Sequence, residues 1–280
     1  MPFSLRRIAL IGVPAVVLLA VTVGAISAGT ATAGTTAAPH HGARPAQTQP
    51  PVDHQLCYNA YGSQFQIPTG IRLINQFSPN GFVPVITSTV AVHCNPVQKT
   101  ANGVVYPITN PNGHLACYPI TASTQPTPTV VVTNQFGSAE LVPSQPNLLC
   151  VPSWKSLSGP PGQSPPTPPN LSHFTCYPVK VVSGAYNPPP VQLQDEFASA
   201  PYPATVSPTP SELCLPTEKI LPSGQVFPII NSTLHLLCFP VSQTPIVPQV
   251  WDENQFGTSP ITISSTKWLC APSTKTVVSS

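Results

Sequence analysis

Four times along this chain of 280 residues a histidine stands three residues ahead of a cysteine: His54/Cys57, His114/Cys117, His173/Cys176 and His235/Cys238. Each pair is followed by a phenylalanine (Phe77, Phe136, Phe197, Phe256), a second cysteine (Cys94, Cys150, Cys214, Cys270) and a lysine five residues beyond it (Lys99, Lys155, Lys219, Lys275). All 8 cysteines belong to this pattern, so one short unit has been copied with its covalent chemistry. The period is about 60 residues, the range of repeat architectures. Asn75-Gln76, Asn134-Gln135 and Asn254-Gln255 precede the phenylalanine, and repeat three has Asp195-Glu196 instead. A proline lies two residues after every second cysteine: Pro96, Pro152, Pro216 and Pro272.

Spacing orders the repeats further. The cysteine separations are 37, 33, 38 and 32, alternating long and short. The connection between repeats two and three is proline-rich, from Ser158-Gly159-Pro160-Pro161-Gly162 to Pro168-Pro169, and reads as a stiff linker. The alternation predicts a duplicated two-repeat domain: 53–156 (repeats 53–100 and 113–156) and 172–276 (repeats 172–220 and 234–276), separated by a linker over 157–171. Segment 34–52 reads as a disordered Thr/Ala/Pro-rich tether.

Proline at 40 of 280 residues forbids long helices, because it lacks the amide donor and fixes φ. Val, Ile, Leu and Phe fall in short alternating runs such as Thr129–Phe136, the signature of half-buried strands. The expected fold class is all-β, with little or no helix: two disulfide-stapled β-sandwich-like domains, each built from two homologous repeats.

The first 33 residues read as an export signal. Arg6 and Arg7 precede an apolar run from Ile8 to Ile26, and Ala31-Thr32-Ala33 offers a small-x-small cleavage site. A retained anchor is the alternative, since the run is nearly long enough to span a bilayer. No second segment of spanning length follows. Without Arg6 and Arg7, eight basic residues face eight acidic ones, and charged residues are only 6% of the chain. That balance offers no basic stripe for nucleic acid and no polybasic patch for a membrane surface. The expected location is secreted or cell-wall-associated, with an unknown extracellular or cell-wall ligand as partner.

An even cysteine count in an exported chain reads as a disulfide framework. Recurrence favours one bridge per repeat: Cys57–Cys94, Cys117–Cys150, Cys176–Cys214 and Cys238–Cys270. Exchange between halves of a domain, such as Cys57 with Cys117, is the alternative. A histidine and two cysteines per repeat also suggest zinc. However, on a strand positions i and i+3 face opposite sides, about 10 Å apart, so they cannot share an ion. No metal and no cofactor is expected.

The recurring histidines, His54, His114, His173 and His235, read as half-buried groups whose ring hydrogen bonds fix a neighbouring segment. The Asn-Gln or Asp-Glu pairs are their expected partners. The recurring lysines are expected to lay their stems on apolar surface and keep the charge in water. No nucleophile, phosphate-loop or zinc-protease motif is present. The acidic pairs Asp195-Glu196 and Asp252-Glu253 permit one catalytic arrangement, a carboxylate from each meeting as in glycosidases. The bland reading of solvated strand edges competes with it.

The units His114-Leu115-Ala116-Cys117-Tyr118-Pro119, Asn134-Gln135-Phe136-Gly137 and Leu149-Cys150-Val151-Pro152-Ser153-Trp154-Lys155 resemble a family of bacterial extracellular repeat modules of unknown function. The resemblance spans nearly all of 53–276. It implies secretion and tandem modules, and no activity or site residues. Repeat three departs from it at Asp195-Glu196-Phe197, and repeat one at Tyr58-Asn59. The expected function is therefore a secreted or envelope-associated non-enzymatic repeat protein, structural or binding. A carbohydrate-binding module and a hydrolase using the carboxylates of the second half are the alternatives.

Overall fold

Period-two alternation decides which side chains share a face, and the cysteines set the phase. In the computed structural model the described residues are 52–160, 171–242 and 249–278. The export signal, nearly all of the tether and most of the linker lie outside them. Repeat one and the segment that follows it supply β1 (Gln55–Gly62), β2 (Arg72–Asn75), β3 (Ser78–Phe82), β4 (Val85–Ile86), β5 (Val92–Pro96), β6 (Gln98–Ala101) and β7 (Val104–Tyr106). Repeat two supplies β8 (His114–Thr121), β9 (Val130–Asn134), β10 (Gly137–Pro143) and β11 (Leu148–Ser156). Repeat three and the segment that follows it supply β12 (His173–Tyr186), β13 (Val191–Gln194), β14 (Tyr202–Val206), β15 (Glu212–Ile220) and β16 (Val226–Phe227). Repeat four supplies β17 (His235–Ser242), β18 (Gln249–Asn254) and β19 (Gly257–Val277). The protein is all-β, with no helix among the described residues.

Eight of these strands close on themselves. The antiparallel order is β1–β5–β8–β11–β12–β15–β17–β19 and back to β1. Each strand carries one cysteine. Within a repeat the cysteines face each other in register and are bonded: Cys57–Cys94, Cys117–Cys150, Cys176–Cys214 and Cys238–Cys270. Between repeats the register steps by two residues, as in Cys94 opposite Leu115 and Cys150 opposite Phe174. A regular stagger is the geometric requirement for closing a small barrel.

The barrel interior is a disulfide layer. Cys57 and Cys270 sulfurs lie 3.6 Å apart across one seam, and those of Cys150 and Cys176 3.7 Å apart across another. Leu115, Phe174, Leu236 and Trp268 fill the space beside them and leave a void of about 10 Å³ lined by all eight cysteines. That is about the volume of one water, not of a ligand. The opposite faces of the same strands carry Tyr58, Tyr118, Tyr177 and Phe239, fully buried under a second, larger apolar layer. Histidine and cysteine of each His-x-x-Cys thus face opposite sides, and no cluster that could hold a metal occurs among the described residues.

The hairpins that carry the phenylalanines form the outer layer by reaching two repeats along. The strand past each second cysteine pairs with the hairpin of the repeat after next: β6 with β13, β11 with β18, β15 with β2, β19 with β9. The phenylalanines follow, edge-on to the aromatic after the first cysteine. Phe77 meets Tyr177 at 5.1 Å, Phe136 meets Phe239 at 5.3 Å, Phe197 meets Tyr58 and Phe256 meets Tyr118, both at 5.4 Å. The sheet therefore does not divide at 157–171 into two β-sandwich-like domains: the described residues fall in one compact unit, with strands of each half paired to the other. The physical reason is edge pairing. A two-repeat half would expose unpaired β1 and β11 edges, which β19 and β12 cover.

Candidate functional site

The recurring polar residues gather at four equivalent stations between consecutive repeats. Each station takes a histidine and lysine from one repeat and the Gln-Phe (or Glu-Phe) of the next. At the first, Lys99 Nζ donates to Gln135 Oε1 and lies 4.0 Å from the Tyr106 ring centroid and 5.1 Å from that of Phe136. Gln135 Nε2 in turn meets His54 Nε2. At the third, Gln255 Nε2 meets His173 Nε2 at 2.8 Å, while Lys219 Nζ lies over Phe227 at 4.3 Å and Phe256 at 4.8 Å. At the fourth, Lys275 Nζ donates to Gln76 Oε1 and lies over Phe77, while His235 Nδ1 reaches its own chain at Thr233 O. The Asn or Asp before each pair accepts from the backbone N–H of its phenylalanine, closing the hairpin turn.

The lysines differ from their sequence reading. Lys99 and Lys219 are completely buried, with their charge under aromatic faces instead of in water. The hairpin arriving from the next repeat covers them, which stem-on-surface reasoning cannot foresee. Burial pushes both ammonium groups down to about 7, and Lys275 down to about 8. The histidines are held neutral by the same cause: burial, then the neighbouring lysine, lowers His54 and His173 well below the ordinary imidazole range, and His235 to about 4.

The second station breaks the symmetry. At its position before the second cysteine repeat one has His93, where the other copies have Leu149, Leu213 and Leu269; after that cysteine it has Asn95, where they have Val151, Leu215 and Ala271. Repeat three brings Asp195-Glu196 for Asn-Gln. Repeat four brings Asp252, where Leu73, Val132 and Leu193 stand elsewhere. These departures come from three repeats, yet they converge on Lys155 and His114 of repeat two.

Asn95 is the centre, with no exposure to solvent. Its Oδ1 lies 3.2 Å from each of three nitrogens: His93 Nε2, His114 Nδ1 and Lys155 Nζ. Its Nδ2 donates to Asp195 Oδ2 at 2.8 Å, which also accepts from the Tyr58 hydroxyl at 2.7 Å. Lys155 forms an ion pair with Glu196 and lies 3.9 Å from the Phe197 ring centroid. Glu196 Oε1 is also 3.3 Å from His114 Nε2, and its side chain, 40% exposed, closes the station toward solvent. Behind, His93 Nδ1 stands 3.2 Å from Asp252 Oδ2, both fully buried, without hydrogen-bond alignment. Asp252 Oδ1 accepts from Asn254 Nδ2 at 2.7 Å. The rings of His93 and His114 stack at 5.9 Å. Burial lowers the Lys155 ammonium despite Glu196, and lowers His114, with Lys155 and His93 adding to the effect.

Of the residues singled out in the sequence, His114, Lys155 and Phe197 meet here, and the cysteines, on the inner face, do not. Asp195 and Glu196, expected as histidine partners or as catalytic carboxylates, and Asp252, expected only as the latter, belong to the network. Glu253 is not among its partners. Sequence reasoning misses His93 and Asn95. Their signal is present all the same: aligned on the second cysteine, they are polar where three copies are aliphatic. A family model described as "Repeat of unknown function (DUF7450)" matches residues 114–272. No curated protein and no solved structure matches the chain.

Proposed function

We propose, from the premise that this chain belongs to that family of repeats of unknown function, that it is an exported, non-enzymatic scaffold. Its rigid body would present an outer surface to an extracellular or cell-wall partner. One observation carries the reading: the residues that recur are consumed in joining repeats. At the first station Gln135 joins His54 to Lys99, at the third Gln255 meets His173 while Lys219 lies over two rings, and at the fourth Gln76 takes Lys275. The interior void admits no substrate. The carboxylates that a hydrolase would use, Asp195 and Asp252, are buried and bonded to Tyr58, Asn95 and Asn254. The eight paired cysteines fit an oxidising compartment. No helix among the described residues is long and apolar enough to cross a membrane.

The test is export followed by assay. The chain is recovered from culture medium with an N-terminus near Gly34 and eight hydrogens fewer than its reduced form. The purified protein is then offered glycoside, ester and peptide substrates, and insoluble polysaccharides and cell walls for retention. The scaffold reading expects no turnover. Turnover that disappears in Asp252→Asn while thermal stability is kept would overturn it in favour of the hydrolase. Retention on one polysaccharide would identify the carbohydrate-binding form of the same scaffold.

A further inference from the structure

We propose that Lys155 and Asn95 become joined, within the folded chain and without another enzyme, by an amide bond between the lysine nitrogen and the asparagine side-chain carbonyl, with loss of ammonia. This is independent of the role proposed above.

Asn95 occupies a position where the other copies bury Val151, Leu215 and Ala271 without exposure. A polar amide there is costly unless fully bonded, by about 1–3 kcal/mol. Lysine at the equivalent station needs no asparagine: Lys99 and Lys219 are buried without one. What the substitutions assemble instead is a set of groups for acyl transfer. An amine stands 3.2 Å from the amide oxygen, one bond away from the carbon it would attack. Such proximity in a fixed site replaces the entropy of a bimolecular encounter. Two imidazole nitrogens stand at 3.2 Å on the same oxygen, placed to donate to the negative charge that develops there. A buried carboxylate holds the amide nitrogen, the leaving group. Lys155 has a zero-exposure side chain, and its proton has a receiver in Glu196. The amide orientation follows from its neighbours: the Lys155 ammonium can only donate, so the oxygen faces it, and Nδ2 faces the Asp195 oxygen that already accepts from Tyr58.

The steps balance. Glu196 takes one proton from the Lys155 ammonium, freeing the lone pair. Nζ attacks Cγ of Asn95, the carbonyl pair moves to Oδ1, and His93 and His114 donate to that oxygen. Asp195 removes a second proton from Nζ and passes it to Nδ2. The Cγ–Nδ2 bond breaks, the carbonyl re-forms and ammonia leaves. Ammonia takes the proton held by Glu196. The sum is an ammonium and a carboxamide giving a secondary amide and an ammonium ion, with no oxidant or cofactor. The usual route by which asparagine loses ammonia, attack by the following backbone nitrogen, is closed because that residue is Pro96. The bond would tie β5 of repeat one to β11 of repeat two. All four disulfides lie within repeats, so none makes such a link.

The test is intact mass and peptide mapping of the purified full chain after reduction and denaturation. The expected result is a mass one ammonia below that of the sequence, and a branched peptide joining the segments that contain Asn95 and Lys155. Asp195→Asn restores the residue used by the other three repeats, and Asn95→Val the residue of repeat two. Both are expected to fold, to form four disulfides and to keep the full mass. An unmodified mass for the folded parent chain overturns the proposal. So does a branched peptide at another pair, such as Lys99 with Gln135. The same bond appearing in Asp195→Asn overturns the part given to Asp195.

Discussion

Replacing Lys219 by methionine is expected to stabilise the protein near neutral pH and to lose that advantage in alkali. Lys219 has no exposure, and its Nζ has no hydrogen-bond acceptor among the described residues, only the faces of Phe227 and Phe256. Burial moves the ammonium from the ordinary 10.5 down to about 7. The folded-state value is depressed, so the unfolded chain binds more protons between those two pH values, and stability rises as pH rises through that window. Each tenfold loss of proton affinity is worth about 1.4 kcal/mol, so the folded state gives up about 4 kcal/mol at pH 7 and about 1 kcal/mol at pH 10. The two rings return about 2 kcal/mol as cation–π attraction. Methionine keeps an unbranched stem and a soft contact with the rings, so Lys219→Met should gain about 2 kcal/mol at pH 7. The gain should vanish or reverse at pH 10. The assay is denaturant unfolding with disulfides intact, comparing midpoints of parent and variant at both pH values. A variant less stable than the parent at pH 7, or a difference that does not change with pH, would refute the account of this lysine.

The remaining expectations concern the same joints. Between pH 6.5 and 5 the unfolded chain charges His54, His114, His173 and His235 while the folded chain holds them neutral. Glu212, pushed up to about 7 by burial, takes up a proton in the folded state and offsets one of the four. Unfolding followed by circular dichroism should therefore show stability falling by at most about 4 kcal/mol per pH unit, and a flat profile would contradict it. Tyr177→Phe removes the acceptor of Asn75 Nδ2, now at 2.9 Å, and should cost about 1–2 kcal/mol in a denaturant titration. Replacing Cys117 and Cys150 together by alanine opens a loop of separation 33. Chain entropy alone predicts a loss of about 4 kcal/mol, read as a lower unfolding midpoint.

Much of the station chemistry is legible before any fold is known. Histidine, Gln-Phe and lysine recur together because they touch one another, and co-recurrence at fixed offsets records contact. What it cannot record is direction. Gln135 belongs to repeat two but serves His54 and Lys99 of repeat one. The link is between copies, and four equal copies give no hint of which partners which. The same ambiguity hides the second station: the His93/Asn95 pair, Asp195 and Asp252 lie far apart in sequence, in three different repeats, and each alone reads as a local polar departure.

The sequence by itself determined the all-β class, favoured a single bridge per repeat and set the side on which each strand residue falls. Proline excludes helix, and a period of two assigns faces locally. Only the tertiary structure decided that the four repeats close into one ring and that hairpins dock two repeats along. It also decided that the lysines go under aromatic rings and that the odd residues of three repeats meet at Asn95. Those outcomes depend on strand-edge pairing between distant segments. Alternation fixes which face a side chain occupies, but closure of the ring fixes what lies opposite it.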